Sequence, residues 1–471
     1  MKMKLATNLL SVIGCLLIFG LAARSHAQAG PRYSHTGPTI ISGVRVIDGL
    51  GSKPEENQDI LVADGKIAAI GPSGSLDAPV GALKIDGKGM TAMPGLIDMH
   101  VHINGGWANG TLAEDKYQPQ YDDGTVQRSL SGHLYAGVTT ILDTGSENPE
   151  WTFATRDRIE QGDLLGPRAF TVGGVWTQAP SGWGGPAPTL VTSVEAIPEQ
   201  MDSYEEKGVE IIKLYTGLSP QAAQFVVAEA HRRDILTIAD FWKVNMDKIV
   251  MEATGLDGYA HSSPAPVSAD NNKWLADNDR FVIVTANVGE MLSGMRVADE
   301  GGKRSMLQEP LIVDIWGKDE VNEFYDLYPR IRHEFYDGPD SFYQQNNFGD
   351  MSKIRANFFP NIKGAYDAGV LIAGGSDFPY PSLWAGEAMH RELELLVMAG
   401  LPEVEAIKTC SYNAAKILRR DQEFGSLQEG LSADILIVEG NPASSISDSR
   451  NVRHVFLRGK QVDRDSLKLI D

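Results

Sequence analysis

The chain has 471 residues, 42% apolar and 22% charged, with 42 basic against 62 acidic side chains and a formal charge of −20. The acidic balance argues against nucleic acid and anionic membrane surfaces as partners, and the composition is that of a folded globular protein. The length exceeds one ordinary domain, so a large domain with a smaller companion is expected.

Lys2 and Lys4 precede an apolar run over 5–23, and Ser25-His26-Ala27 follows as a small-x-small cleavage site. The pattern predicts a secretory signal peptide over 1–27 and hence a periplasmic or secreted protein, an uncleaved anchor being the alternative. Val12-Ile13-Gly14-Cys15 resembles a lipoprotein acceptor site, but the apolar run continues past Cys15, which argues against lipidation. Cleavage removes three basic and no acidic residues, taking the charge from −20 to −23, and leaves Cys410 as the one thiol. An exported protein of this kind has no internal disulfide, so its core and its ligands must hold it together. No later segment has the apolar length of a membrane span, so no stable membrane insertion follows once the leader is gone.

Short strands are expected over 40–47, 59–63 and 66–70, with Asp64-Gly65 as a tight hairpin turn because both turn positions need positive φ. The far end has the same texture, with strands over 433–438 and 452–457 and a turn at Gly459-Lys460. Both ends together predict one small β-sandwich domain from 38–92 plus 427–465. Between them, strand-like runs at 96–102, 138–143, 169–173, 209–215, 236–241, 258–261, 281–288 and 370–377 alternate with helical patterns. Ser219-Pro220 reads as an N-cap followed by proline at the first helical position, opening a helix to Arg232. Eight such units over 93–426 predict an α/β fold, a (β/α)8 TIM barrel. A doubly wound open sheet is the alternative, but no glycine-rich phosphate loop follows the first strand. An aromatic- and acid-rich insertion over about 293–351 follows the seventh strand, where it would serve as a lid, a substrate wall or a plain surface insertion.

The chemistry concentrates at strand ends, where barrel enzymes gather catalytic side chains. His100 and His102 stand two apart in Met93-Pro94-Gly95-Leu96-Ile97-Asp98-Met99-His100-Val101-His102, and a strand puts residues i and i+2 on one face. Lys213, Asp240, His261 and Asp377 close four later runs. Taken singly, each has a bland reading as a packed or capping residue. Their common placement at strand ends is what favours a metal centre. His133, His231, His333 and His390 fall in helical or loop contexts and read as structural.

With these residues the sequence resembles the amidohydrolase superfamily, in its imidazolonepropionase-like and prolidase-like branch. The motifs are Pro-Gly-x-x-Asp-x-His-x-His, Gly137-Val138-Thr139-Thr140, Gly166-Pro167-Arg168, Ile212-Lys213-Leu214-Tyr215, Tyr259-Ala260-His261, Gly375-Ser376-Asp377, the 411–416 run and Gly430-Leu431-Ser432-Ala433-Asp434. The resemblance implies that His100, His102 and Asp377 hold one divalent ion and His261 a second, with Lys213 bridging them as a carbamate derived from CO2. Zinc is the expected metal, with manganese or cobalt as options. It further implies a metal-activated hydroxide as nucleophile and Asp377 as the group that moves the proton.

Two departures stand out. Asp240 occupies the end of the fifth strand, where the family places a ligating histidine. A carboxylate there either still ligates, favouring harder ions, or leaves a mononuclear site, or marks a non-catalytic, metal-binding pseudoenzyme. Near the third strand, Gly184-Gly185-Pro186 stands where relatives often carry Gly-Gly-His. Tyr215 shares a strand face with Lys213 and is a candidate substrate contact or else a packed tyrosine. Arg296 and Arg304 are weak candidates for a clamp on a substrate carboxylate. The expected activity is cleavage of an amide or peptide-type C–N bond in a dipeptide or N-acyl amino acid, with cyclic amide, lactone or ester hydrolysis as the alternative. The expected partner is a small-molecule or peptide-like substrate. The sequence leaves the oligomeric state, a homo-oligomer included, open.

Overall fold

The computed structural model describes residues 33–103, 123–145, 148–178, 189–215, 217–240, 248–292, 300–333, 351–380 and 382–469. The expected leader, Cys15, the Gly184-Gly185-Pro186 segment and Arg296 lie outside them.

Strands from both ends of the chain join in one nine-stranded mixed sheet. They are β1 (Tyr33–His35), β2 (Thr39–Val46), β3 (Glu55–Ala63), β4 (Lys66–Pro72), β5 (Leu83–Asp86) and β6 (Met90–Pro94), with a second set from the far end. The expected hairpin forms: Asp64 and Gly65 take φ of 51° and 79°, and Ala63 pairs with Lys66. Ile41, Val44, Ile60, Val62, Ile435 and Phe456 are fully buried in a core of their own beneath this sheet.

The middle of the chain alternates helices with parallel strands. A three-stranded parallel run is β7 (Leu96–Val101), β8 (Val138–Asp143) and β9 (Arg168–Thr171). The other is seven-stranded, in the order β11-β10-β12-β13-β14-β15-β16. Its members are β10 (Val175–Thr177), β11 (Thr189–Leu190), β12 (Ile211–Leu214), β13 (Leu236–Asp240), β14 (Gly258–Ala260), β15 (Phe281–Ile283) and β16 (Leu371–Ala373). The mixed sheet is completed by β17 (Ile435–Glu439), β18 (Val452–Leu457) and β19 (Lys460–Val462). Every residue of β7 and β8 is buried, as expected of parallel strands covered on both faces. Beyond β16, the amide of Met99 donates to the carbonyl of Gly374 at 3.2 Å and that of His102 to Phe378 at 2.7 Å. A parallel bridge joins Val101 to Phe378. The last parallel strand therefore continues alongside the first.

The helix Pro220–Arg232 begins as its sequence dictates, with Ser219 Oγ accepting from the amide of Ala222 and proline in the first turn. Two expectations change. The run 169–173 does not form one strand; the chain breaks at Gly173, with φ of 69°, into β9 and β10. The run 281–288 stops at Ile283, because Thr285 takes φ of 41° and Ala286–Leu292 is helical. Within the insertion, the helices Glu300–Gln308, Pro310–Trp316 and Lys318–Arg332 are built into the core. Trp316 is 1% exposed, and its ring lies 5.7 Å from that of Trp384 and 6.2 Å from that of Phe378. The plain surface reading does not hold for these helices, which buttress the turn next to Asp377.

Candidate metal centre

The six chemistry-bearing residues expected from the sequence meet in one place. His100 and His102 leave the end of β7 side by side, their rings 5.4 Å apart. Each presents Nε2 to Asp377 Oδ1 at 3.3 Å. Lys213, from β12, places Nζ 3.4 Å from His100 Nε2 and 3.9 Å from Asp240 Oδ2. His261 follows β14; its Nε2 lies 3.8 Å from Asp240 Oδ2 and its Nδ1 3.9 Å from Asp377 Oδ2. His100, Lys213, Asp240, His261 and Asp377 are all buried, while the His102 side chain keeps about one fifth of its surface, 21%, open.

The donor set fits a divalent cation. Ligand atoms of His100, His102 and Asp377 all lie within 4.8 Å of one another. The two 3.3 Å separations match the edge of about 3.4 Å that ~2.1 Å bonds around a tetrahedral ion would give. The histidines are fixed from behind. His102 Nδ1 shares a 2.7 Å hydrogen bond with the carbonyl of Gly145, which commits Nε2 to the centre. His261 Nδ1 is likewise 2.7 Å from Thr285 Oγ1.

Backbone conformation contributes as well. His261 and Asp377 take φ of 72° and 59°, a region costly for residues with a side chain. Main-chain bonds hold them there: the amide of His261 donates to Ile283 at 2.8 Å and that of Asp377 to His100 at 2.7 Å. Gly375 lets the turn approach, since a Cβ there would stand 2.7 Å from His100 Cβ.

The electrostatics suit a cation. Burial, with the charges of Lys213, His261 and His102, pushes His100 well below the usual imidazole range and keeps it neutral. Burial lowers His261 too, against the opposing pull of Asp240 and Asp377. For Asp377 burial works against ionisation, but the adjacent His102 and the charges of His261 and Lys213 outweigh it and hold the carboxyl below its usual value. Burial lowers His102 as well, but its hydrogen bond to Asp377 and that carboxylate's charge outweigh it and raise the ring above its usual value, so His102 would give up a proton to a metal that His100 and His261 meet already neutral.

Tyr215 is 5% exposed, and its ring centroid lies 5.8 Å from Lys213 Nζ, so it flanks the centre as part of its wall. Arg304 is exposed on the helix Glu300–Gln308. Three of the histidines read as structural behave so. His133 Nδ1 meets the carbonyl of Ser129 at 2.8 Å, His231 pairs with Asp257 at 2.9 Å, and His390 lies between Ser449 Oγ and the carbonyl of Ala136. Sequence reasoning missed the residues behind the ligands. Asp143 accepts from the amides of Ile103 and Gly145, on either side of the His102 anchor. Asp98 Oδ1 accepts from His100 at 3.2 Å and from Ser376 at 2.8 Å, joining the two ligand-bearing segments. Asp98 was legible as a strand-face neighbour of His100; Thr285 and Gly145 carried no such signal.

This arrangement is that of a metal hydrolase, and the chain belongs to the amidohydrolase family, whose model matches residues 91–303 and 344–462. It is an enzyme of that hydrolytic class. Among curated relatives, an enamidase of Eubacterium barkeri is 24% identical over 60% of this chain and 71% of its own. An ochratoxinase of Aspergillus niger is 22% identical over 90% of this chain and 86% of its own. Among solved structures, a Xaa-Pro dipeptidase with methionine bound in its active site superposes with a TM-score of 0.69 at 20% identity. It covers 90% of this chain and 99% of the other, so the two share a fold.

Proposed function

We propose that this chain is an exported, metal-dependent hydrolase that cleaves the amide or peptide-type C–N bond of a dipeptide or an N-acyl amino acid. One observation carries the reading: Nε2 of His100 and Nε2 of His102 converge on the same oxygen of Asp377, each at 3.3 Å. The parallel strands are read as a closed (β/α)8 barrel, supported by the bridge from β7 to the chain beyond β16. His100, His102 and Asp377 would hold one divalent ion, and His261 and Asp240 stand where a second would be held. Lys213, 3% exposed and between His100 and Asp240, would, if carboxylated by CO2, supply anionic oxygens to a metal held here. Zinc suits the histidines, and the extra carboxylate of Asp240 opens the site to manganese.

A bound divalent metal supplies a Lewis acid and acidifies water to near neutrality. The chain supplies the rest. Asp377 is ionised and faces the site, so its carboxylate accepts the proton of the attacking water and returns it to the departing nitrogen. Gly145 and Thr285 keep His102 and His261 in single orientations, so no reorganisation is needed as charge develops. The buried neighbours exclude bulk water and strengthen each charge–charge contact. The reading of an amide substrate is supported by the enamidase, ochratoxinase and Xaa-Pro dipeptidase named among the similar proteins.

The test has two arms. Purified protein supplied with zinc or manganese and bicarbonate is expected to hold at least one ion per chain, and a His100→Ala variant to hold almost none. A panel of dipeptides, N-acyl amino acids, hydantoins and lactones is expected to show turnover concentrated in the first two classes. Wild-type protein free of tightly bound metal would end this reading, and turnover confined to lactones would replace its substrate class. The mass of the secreted chain, expected to lack residues 1–27, tests export.

A further inference from the structure

We propose that Glu392 is a positioning residue that sets His261 and Asp377 at their working separation by holding the turn after β15, which anchors His261 through Thr285, against the loop that carries Asp377. The inference rests on the roles assigned above to those two residues. Glu392 lies on the helix Glu387–Met398 and its side chain is fully buried. One carboxylate oxygen accepts the amide of Ala286 at 2.8 Å; the other accepts the amide of Asn287 and its Nδ2, both at 2.9 Å. The amide of Gly375 faces the same carboxyl and favours its ionised form.

The bonded donors all lie at the turn after β15, and the loop after β16 packs over the same side chain. Ala286 directly follows Thr285, whose Oγ1 is 2.7 Å from His261 Nδ1. Gly375 lies two residues before Asp377, whose own amide is bound to His100. The side chain sits close beneath the second loop, since a Cβ on Gly374 would stand 3.2 Å from Glu392 Cγ. Asn287 Nδ2 also donates to the carbonyl of Ala388 at 2.7 Å, so the first loop is tied twice to the helix of Glu392. Burial pushes the Glu392 carboxyl up to about 8, whereas the three N–H groups that converge on its two oxygens favour the ionised form, which only accepts. A glutamine would keep one acceptor and turn an NH2 against the remaining donors.

The experiment uses the full-length protein with Glu392→Gln and Glu392→Asp, and reads three quantities. [15N]histidine spectra report the hydrogen bond at His261 Nδ1; metal retained after dialysis against a chelator reports the centre; steady-state kinetics report turnover. For Glu392→Gln, we expect a changed or solvent-exchanging His261 Nδ1 signal, and metal retention and kcat both lowered about 10–100-fold with KM within about twofold. Glu392→Asp, which keeps the charge on a shorter arm, should fall between this variant and wild type. A merely structural role predicts a lower melting temperature with the histidine signal, metal retention and kcat per folded molecule unchanged, and that result overturns the proposal. Should the glutamine variant not fold, the same readouts on Glu392→Asp decide. If wild-type protein binds no metal, the hydrolase reading fails, and the His261 signal still tests Glu392.

Discussion

The amide of Asp377 donates to the carbonyl of His100 across 2.7 Å, so a candidate ligand on the first parallel strand and one in the turn beyond the last are joined through their backbones. The bond also steadies Asp377 at a φ of 59°, a conformation that a free aspartate seldom adopts. Side-chain placement here depends on main-chain hydrogen bonds, which conservative substitutions leave intact.

That separation makes Asp377→Asn informative. The substitution keeps the backbone bond to His100 and the shape of the side chain but removes the proton acceptor. We expect kcat to fall about 10²–10⁴-fold, with melting temperature nearly unchanged. Turnover within a few-fold of wild type would take proton transfer away from Asp377.

Asp240 contacts both Lys213 Nζ and His261 Nε2 at 3.9 and 3.8 Å. Replacing it with histidine removes one negative charge from the centre and substitutes a softer donor. Asp240→His should therefore raise zinc occupancy relative to manganese when both ions are offered, as read by elemental analysis. Identical stoichiometry and selectivity in the two proteins would place Asp240 outside the metal's reach.

Away from the site, Arg450 gathers three segments. Its guanidinium reaches Glu387 at 2.7 Å, Glu394 at 2.6 Å and Glu309 at 3.1 Å, and its side chain is only 16% exposed. Removing the cation leaves three largely buried carboxylates facing one another. Arg450→Ala is expected to cost about 3–5 kcal/mol in urea unfolding. A loss below about 1 kcal/mol would show that the carboxylates protonate or find water instead.

His390 gives stability a pH dependence. Burial pushes its imidazole down to about 4, the charge of Arg450 adding to the effect, while its nitrogens meet Ser449 and Ala136. The unfolded chain takes up this proton near pH 6.5, before the folded one does. The stabilisation is thus complete above about 6.5 and is lost as pH falls towards 4, on the order of 3 kcal/mol in all. Urea titrations at pH 7 and 4.5 should show a smaller acid-induced loss in His390→Gln than in wild type. Equal losses would acquit His390 as the titrating group.

Much of this molecule is written locally. The alternation of buried runs with amphipathic helices, the Asp64-Gly65 turn and the Ser219-Pro220 helix start follow from period and backbone sterics, which need no distant partner. The two-residue spacing of His100 and His102 likewise puts both imidazoles on one strand face. What the sequence could not show is what stands behind the ligands. Thr285, Gly145 and Glu392 matter because segments distant along the chain fold back on them, and a carboxyl group on one helix takes the amides of Ala286 and Asn287 beside the Thr285 anchor. The same tertiary demand ends β15 at Ile283, where an apolar run alone favours a longer strand. Local sterics decide which element forms, whereas only the folded three-dimensional arrangement decides which buried donor meets which acceptor.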